Sequence, residues 1–321
     1  MSVATAVRHF RRVLDLDSTE LERLLELASS LKEAPARYEA ALHGRTVACI
    51  FEQPSTRTRV SFAAAAAELG ATPVTLSPQD LQIGRGESIA DTARSLSGYC
   101  AAIVARTFSQ ETIRELAEWA SVPVVNALSD SHHPCQALAD LLTIAEYRGG
   151  LRGKRLAFVG DGGDNVAHSL LEGGALAGLD VTIACPPRYG PDPAILDAAL
   201  VAAGATGATL RVVHSPHAAV DGADAVYADV WASMGEEEER EARKRFLEPY
   251  EVTEELFSYA KPDAIFLHCL PAKRGEEVDA AVIDGPRSVV WAQSANRMPT
   301  EAALLLVLTH GFDVLSDAAL G

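Results

Sequence analysis

Phe51-Glu52-Gln53-Pro54-Ser55-Thr56-Arg57-Thr58-Arg59 joins an apolar run, Thr46 to Phe51, to an alanine-rich stretch with the composition of a helix beginning near Thr58. A strand that turns straight into a helix creates an anion site. The first N–H groups of a helix have no partner within it, and the helix dipole points its positive end at the same spot. Three hydroxyls, on Ser55, Thr56 and Thr58, and two guanidinium groups, on Arg57 and Arg59, surround that junction. Read alone, the stretch is either a phosphate cradle or a capped helix with solvated arginines.

Outward from this junction the pattern repeats. Thr72 to Leu76 precedes a helix through Ser88 to Tyr99; Ala101 to Ala105 precedes a helix from Gln110 to Ala120; Val122 to Asn126 precedes a helix opened by His133-Pro134 and running to about Tyr147. Before them, residues 18 to 31 place Leu21, Leu24, Leu25, Ala28 and Leu31 on one helical face, with Thr19 and Glu22 spaced as a capping box. Gly149-Gly150 and Gly153 mark a boundary. A second series of strands follows: Arg155 to Val159, Val181 to Cys185, Leu210 to Val213, Ala225 to Tyr227, Ala264 to Leu267 and Val289 to Trp291, then a final helix from Thr300 to about Thr309. Strands alternating with helices predict an α/β protein of two domains, each a parallel sheet flanked by helices. The expected domains are 1–148 and 149–298, with 299–321 returning to the first.

The chain has 321 residues, 48% of them hydrophobic and 22% charged, enough for two cores. No apolar run reaches the roughly 18 residues of a membrane span, and Arg8, Arg11 and Arg12 stand where a signal peptide would be apolar, so a cytoplasmic location is expected. The five cysteines, Cys49, Cys100, Cys135, Cys185 and Cys269, form neither a disulfide framework nor a C-x-x-C zinc pattern. A net charge of −16 with no basic stripe argues against a nucleic-acid surface. Any phosphate must be held locally against an unfavourable overall field.

In open parallel sheets ligands bind beyond the carboxyl ends of the strands. Ser55, Arg106, His133, Asn165, Asp229, His268-Cys269 and Arg297 all follow apolar runs and are expected on that rim. Each has a plain alternative: Arg106 as a surface residue, His133 as a cap, Gln136 as a surface residue, Cys269 as an inert thiol. Gly160-Asp161-Gly162-Gly163-Asp164-Asn165 approaches a dinucleotide turn, but the third glycine position is Asn165, and Cys185 replaces the acidic residue that would hold a ribose. A nicotinamide cofactor is not expected. Adjacent His268 and Cys269 point apart in an extended chain and would not chelate one metal. The run Glu236 to Arg245 reads as a solvated helix with i,i+4 pairs such as Glu239 and Arg243.

Taken in order, these segments resemble the aspartate/ornithine carbamoyltransferase family over nearly the whole chain. Ser55-Thr56-Arg57-Thr58-Arg59, Arg106 and His133-Pro134-Cys135-Gln136 match its carbamoyl phosphate motifs. Gln82-Ile83-Gly84-Arg85-Gly86-Glu87-Ser88 matches the loop that reaches into a neighbouring subunit's site, which implies a homotrimer or a multiple of one. His268-Cys269-Leu270-Pro271 replaces the His-Pro-Leu-Pro-Arg of the aspartate branch, and Asp229 to Gly235 matches the Asp-x-x-x-Ser-Met-Gly of the ornithine branch.

The resemblance implies transfer of a carbamoyl group from carbamoyl phosphate to the δ-amino group of ornithine, without metal or organic cofactor, at an active site in the cleft between the two domains. It assigns Ser55, Thr56, Arg57, Thr58, Gln82, Arg106, His133, Gln136, Cys269, Leu270 and Arg297 to carbamoyl phosphate, and Asn165, Asp229, Ser233 and Met234 to the amino acid. Arg57, Arg106, His133, Cys269 and Arg297 are its catalytic set. The chain departs from the family pattern at Asp164, Ala295 and Pro299, which leaves open a related amine (putrescine, lysine or acetylornithine) or a silent homologue.

Overall fold

In the computed structural model, residues 7–83, 86–231 and 240–315 are described. They fall into two compact units, residues 1–135 with 297–321, and residues 136–296. Among the described residues no helix is long and apolar enough to cross a membrane.

The first unit opens with helix α1, Ser18–Glu33. Its cap is Asp17, whose carboxylate accepts from the Glu20 N–H at 2.8 Å while the Glu20 side chain accepts from Asp17 N–H at 3.1 Å. The capping box therefore lies two residues before the expected Thr19 and Glu22. Asp, like Ser and Thr, is a preferred N-cap, and both spacings satisfy the motif. Then come β1 (Thr46–Phe51), α2 (Thr56–Glu68), β2 (Thr72–Leu76), α3 (Ile89–Ser97), β3 (Ala102–Arg106), α4 (Gln110–Trp119) and β4 (Val124–Leu128). The strands form a parallel sheet in the order β2-β1-β3-β4.

Strand β3 is buried along its whole length, as a central strand covered on both faces must be, whereas edge strand β2 is largely exposed and carries Pro73. Ile50, Ile103 and Val124 meet Ala93 of α3 and Ile113 and Leu116 of α4 in one core. The chain runs outward from β1 to β2, then returns to add β3 on the other side of β1. The switch point therefore lies between the ends of β1 and β3, where Phe51 pairs with Arg106.

The second unit begins within α5 (Pro134–Arg148) and continues with β5 (Arg155–Val159), α6 (Asn165–Ala177), β6 (Asp180–Ala184), α7 (Pro193–Thr206), β7 (Leu210–Val213), α8 (Pro216–Val220), β8 (Ala225–Ala228), α9 (Arg240–Leu247), α10 (Glu254–Ser258), β9 (Ile265–Leu267) and α11 (Ala280–Ile283). Its parallel sheet has the order β7-β6-β5-β8-β9. Here the switch point is between β5 and β8. Glycine is required in the turn after β5: a Cβ at Gly162 would come within 2.9 Å of Cys185 Sγ and Tyr189 O, so only glycine lets that turn lie against the end of β6.

The expected strand Val289 to Trp291 is not one. Ser288 makes a single bridge to Phe266, and helix α12 runs from Val290 to His310 with Pro299 inside it. Proline marks a helix boundary from sequence because it lacks an N–H and crowds the carbonyl four residues back. Here that carbonyl belongs to the exposed Ala295, and the helix beyond Pro299 is buried from Ala302 through Val307, at 2% exposure or less.

Candidate active site

At the carboxyl rim of the first sheet, Ser55 caps α2, its hydroxyl accepting from the Thr58 N–H at 3.3 Å. The neighbouring strand delivers Arg106: its carbonyl accepts from Glu52 N–H at 2.9 Å, and the Glu52 carboxylate in turn accepts from Phe108 N–H at 3.0 Å. The loop after β1 and the end of β3 are thus pinned together at the switch point. His133 follows β4 at the same rim, and Thr58, Arg106, His133 and Arg297 are all buried.

Arg297 does not come from a strand end. It lies in α12 and donates from Nη2 to Thr58 Oγ1 at 3.2 Å. Its Nε and Nη2 also donate to Glu301 Oε1, one turn along, at 2.9 and 2.7 Å. The Glu301 carboxyl is pushed up to about 7, because burial outweighs the opposing pull of Arg297 and of a hydrogen bond from Ser61. His133 is held well below its usual value by burial and then by the positive fields of Arg297, Arg106 and Arg57. The imidazole is therefore neutral near pH 7 and can donate one N–H without adding charge.

Arg57 is half-buried and Gln82 exposed. Arg59 lies over the Phe51 ring, 5.0 Å from its centroid, so it braces the turn rather than facing a ligand directly. Cys135, which follows His133-Pro134, points inward and donates to Asn126 O at 3.3 Å, its thiol pushed above the ordinary range by burial.

The second unit assembles its own set. Asp164 caps α6, accepting from Val166 N–H at 2.6 Å, so a carboxylate sits where a dinucleotide fold would place a pyrophosphate. Asn165 is the first residue of that helix and is buried. Across the switch point, Asp229 follows β8, and His268-Cys269-Leu270 follows β9. Cys269 Sγ donates to Asp229 Oδ1 at 3.0 Å. Burial and the adjacent Asp229 push the Cys269 thiol well up, so it is held as S–H and is a poor nucleophile. Burial also raises the Asp229 carboxyl, against the pull of His268 and the Cys269 hydrogen bond.

His268 and Cys269 do not diverge as an extended chain would require. The backbone turns at Leu270, which has φ of 61°, and Leu270 N–H donates to His268 Nδ1 at 2.9 Å. Asp229, His268 and Cys269 offer ligand atoms within 4.8 Å of one another. Those atoms already have protein partners: His268 Nε2 lies 3.2 Å from Glu277 Oε1, and Cys269 is bonded to Asp229.

Three contacts were not foreseen. Arg243 of α9 pairs with Asp161 in the turn before Asn165 and donates to Trp231 O at 2.8 Å, so it is a tether and not a solvated charge. Gln293 accepts from His268 N–H at 2.9 Å and donates to Asp140 Oδ1 at 2.7 Å. Glu301 was hidden by the proline that seemed to close its helix. Ser233 and Met234, and with them the Gly84-Arg85 pair of the Gln82 loop, lie outside the described residues.

Residues 8–146 match the family described as aspartate/ornithine carbamoyltransferase, carbamoyl-P binding domain, and residues 152–308 match its Asp/Orn binding domain. The chain belongs to the aspartate/ornithine carbamoyltransferase family. Among relatives, the ornithine carbamoyltransferase of Methanothermobacter thermautotrophicus is 53% identical over 93% of this chain and 98% of its own length. The anabolic ornithine carbamoyltransferase of Pyrococcus furiosus is 46% identical over 97% of this chain and 99% of its own. The solved ornithine carbamoyltransferase of Pyrococcus furiosus superposes with a TM-score of 0.89 at 47% identity, covering 94% of this chain and 96% of that one. The anabolic enzyme of Campylobacter jejuni superposes with a TM-score of 0.89 at 38% identity, covering 94% and 98%. The carbamoyl-P binding match begins in the first unit at residue 8, and the Asp/Orn binding match begins in the second at residue 152.

Proposed function

We infer that the chain transfers the carbamoyl group of carbamoyl phosphate to the δ-amino group of L-ornithine, giving L-citrulline and phosphate. The observation that carries this is the rim of the first sheet, where Arg57, Arg106 and Arg297 all impose positive field on a neutral, buried His133. Such a site suits a substrate that is anionic at one end and develops an oxyanion at the other.

In this mechanism the Ser55 to Thr58 turn, Arg57 and Arg106 hold the phosphate. Thr58, Arg106 and the neutral His133 donate to the carbonyl oxygen, whose negative charge grows as the amine attacks. Arg297, fixed by Thr58 and Glu301, completes that pocket. Gln136 and the main chain at Cys269-Leu270 hold the carbamoyl NH₂. Asn165 and Asp229 hold the amino-acid end of ornithine, and Ser233 and Met234 are assigned to the same task. The raised Asp229 carboxyl favours this, since an incoming α-ammonium stabilises the carboxylate that burial disfavours.

The attacking amine must be neutral, yet an alkylammonium with a pKa of about 10.4 is only about one part in 10³ neutral at pH 7. Nearby arginines favour loss of that proton. The C–N bond forms as the C–O bond to phosphate breaks, and the departing phosphate takes the proton. Cys269 remains a thiol beside the substrate and forms no covalent intermediate.

We further propose a cytoplasmic homotrimer in which the loop from Gln82 completes a neighbouring site. The test of activity is colorimetric citrulline formation by the purified chain with carbamoyl phosphate and, in turn, ornithine, putrescine, lysine and acetylornithine. Product with ornithine at a kcat/KM at least about 100-fold above the other amines is expected, the discrimination that unpaired buried polar groups supply. Equal or greater turnover of another amine overturns the substrate assignment.

A further inference from the structure

Gln136 must offer an acceptor if it is to hold the carbamoyl NH₂, but a carboxamide can turn either end outward. Its Nε2 donates to Asp140 Oδ1 at 2.7 Å, one turn along α5. The same oxygen accepts from Gln293 Nε2, also at 2.7 Å. Asp140 and Gln293 are fully buried and Gln136 is 2% exposed. With two N–H donors on it, Asp140 Oδ1 acts as an acceptor, so it holds the NH₂ end of both carboxamides and turns both carbonyl ends away.

For Gln293, that carbonyl oxygen meets the His268 N–H at 2.9 Å, which ties the start of the His268-Cys269-Leu270 turn to the same carboxylate. Tyr227 closes the cluster: its hydroxyl lies 3.1 Å from Gln293 Nε2, and burial beside Asp140 keeps the phenol protonated.

We propose that Asp140 is a positioning residue for the proposed reaction: by fixing the Gln136 carboxamide with its oxygen outward, it selects a carbamoyl group, NH₂ included, over an acyl group of the same shape. This rests on the assignment of carbamoyl phosphate made above. Acetyl phosphate, with CH₃ in place of NH₂, is the matching probe, because it needs the phosphate and oxyanion donors and has no use for the Gln136 acceptor.

The experiment compares KM for carbamoyl phosphate with the inhibition constant of acetyl phosphate in the natural chain and in Asp140→Asn. Asparagine keeps the shape but can offer either an acceptor or a donor, so Gln136 is free to turn over. Expected is a rise of about 10- to 100-fold in KM for carbamoyl phosphate, the scale of a lost buried hydrogen bond, with acetyl phosphate binding within about twofold of the natural chain. Equal weakening of both ligands marks a merely structural role and overturns the proposal. The double variant Gln136→Glu with Asp140→Asn places an acceptor at 136 in either orientation, and should restore the carbamoyl-over-acetyl ratio; failure to restore it also overturns the proposal.

If Asp140→Asn does not fold, Gln136→Glu alone decides. Two touching carboxylates share a proton, so a new titration must enter the pH profile of carbamoyl phosphate KM, and its absence overturns the contact on which the proposal stands. A natural chain that makes no citrulline defeats the function inferred above, a different outcome from an unchanged ligand ratio in an active Asp140→Asn.

Discussion

Replacing Glu301 by glutamine removes a pH-dependent loss of stability that the natural chain carries. Glu301 is 1% exposed, and its carboxyl is pushed up to about 7 from an ordinary value of 4.5. At about 1.36 kcal/mol per pH unit, that difference corresponds to about 3 kcal/mol, an order-of-magnitude figure. Below pH 4.5 the group is protonated in both the folded and the unfolded chain, and its relative contribution is fully present. As pH rises toward 7 the unfolded chain releases the proton while the folded chain retains it. Stability therefore falls through that window and stays lower above it. A glutamine at this position has nothing to release, yet it still offers Arg297 an oxygen. Urea unfolding of both chains at one protein concentration, from pH 4.5 to 8, gives the stability difference at each pH. That difference should move by about 3 kcal/mol in favour of Glu301→Gln as pH rises; Asp229 and His133 titrate alike in both chains and cancel. Parallel pH profiles would refute the claim that burial outweighs the pull of Arg297 on the Glu301 carboxyl.

Arg57→Gly should cut turnover by several orders of magnitude with the circular dichroism spectrum unchanged, because it removes a charge from the phosphate and none from the core; near-normal citrulline output would sink the phosphate assignment. The ligand-free protein should resist alkylation of Cys269 by iodoacetamide at pH 8 until it is denatured, as read by peptide mass spectrometry, since the raised thiol pKa leaves little thiolate; rapid selective labelling contradicts the burial argument. Asp17→Ala should lower stability by about 1 kcal/mol through loss of the α1 cap, with little effect on kcat, and an unchanged urea midpoint would show that the capping box adds nothing.

The rim was legible because parallel α/β sheets place ligand groups immediately after apolar strands. Ser55, Arg106, His133, Asn165, Asp229 and Cys269 could each be located by counting from a strand end. Arg297 could not. It stands seven residues into a helix whose start, Val290, looked like a strand and whose middle holds Pro299. Contacts between segments far apart in sequence were equally hidden. Asp161 and Arg243 are separated by 82 residues, and Asp140 and Gln293 by 153. No local periodicity encodes such pairs; only the fold creates them. Asp229 and Cys269, 40 residues apart and hydrogen-bonded, are a third such pair.

Carbamoyl phosphate labelled with ¹³C at its carbonyl carbon, incubated with L-ornithine and the purified chain and followed by NMR, tests the central claim most directly. The label is expected in a ureido carbon bonded to the δ-nitrogen, with one phosphate released for each citrulline formed. Label that stays in carbamoyl phosphate, or phosphate released without citrulline, would contradict it.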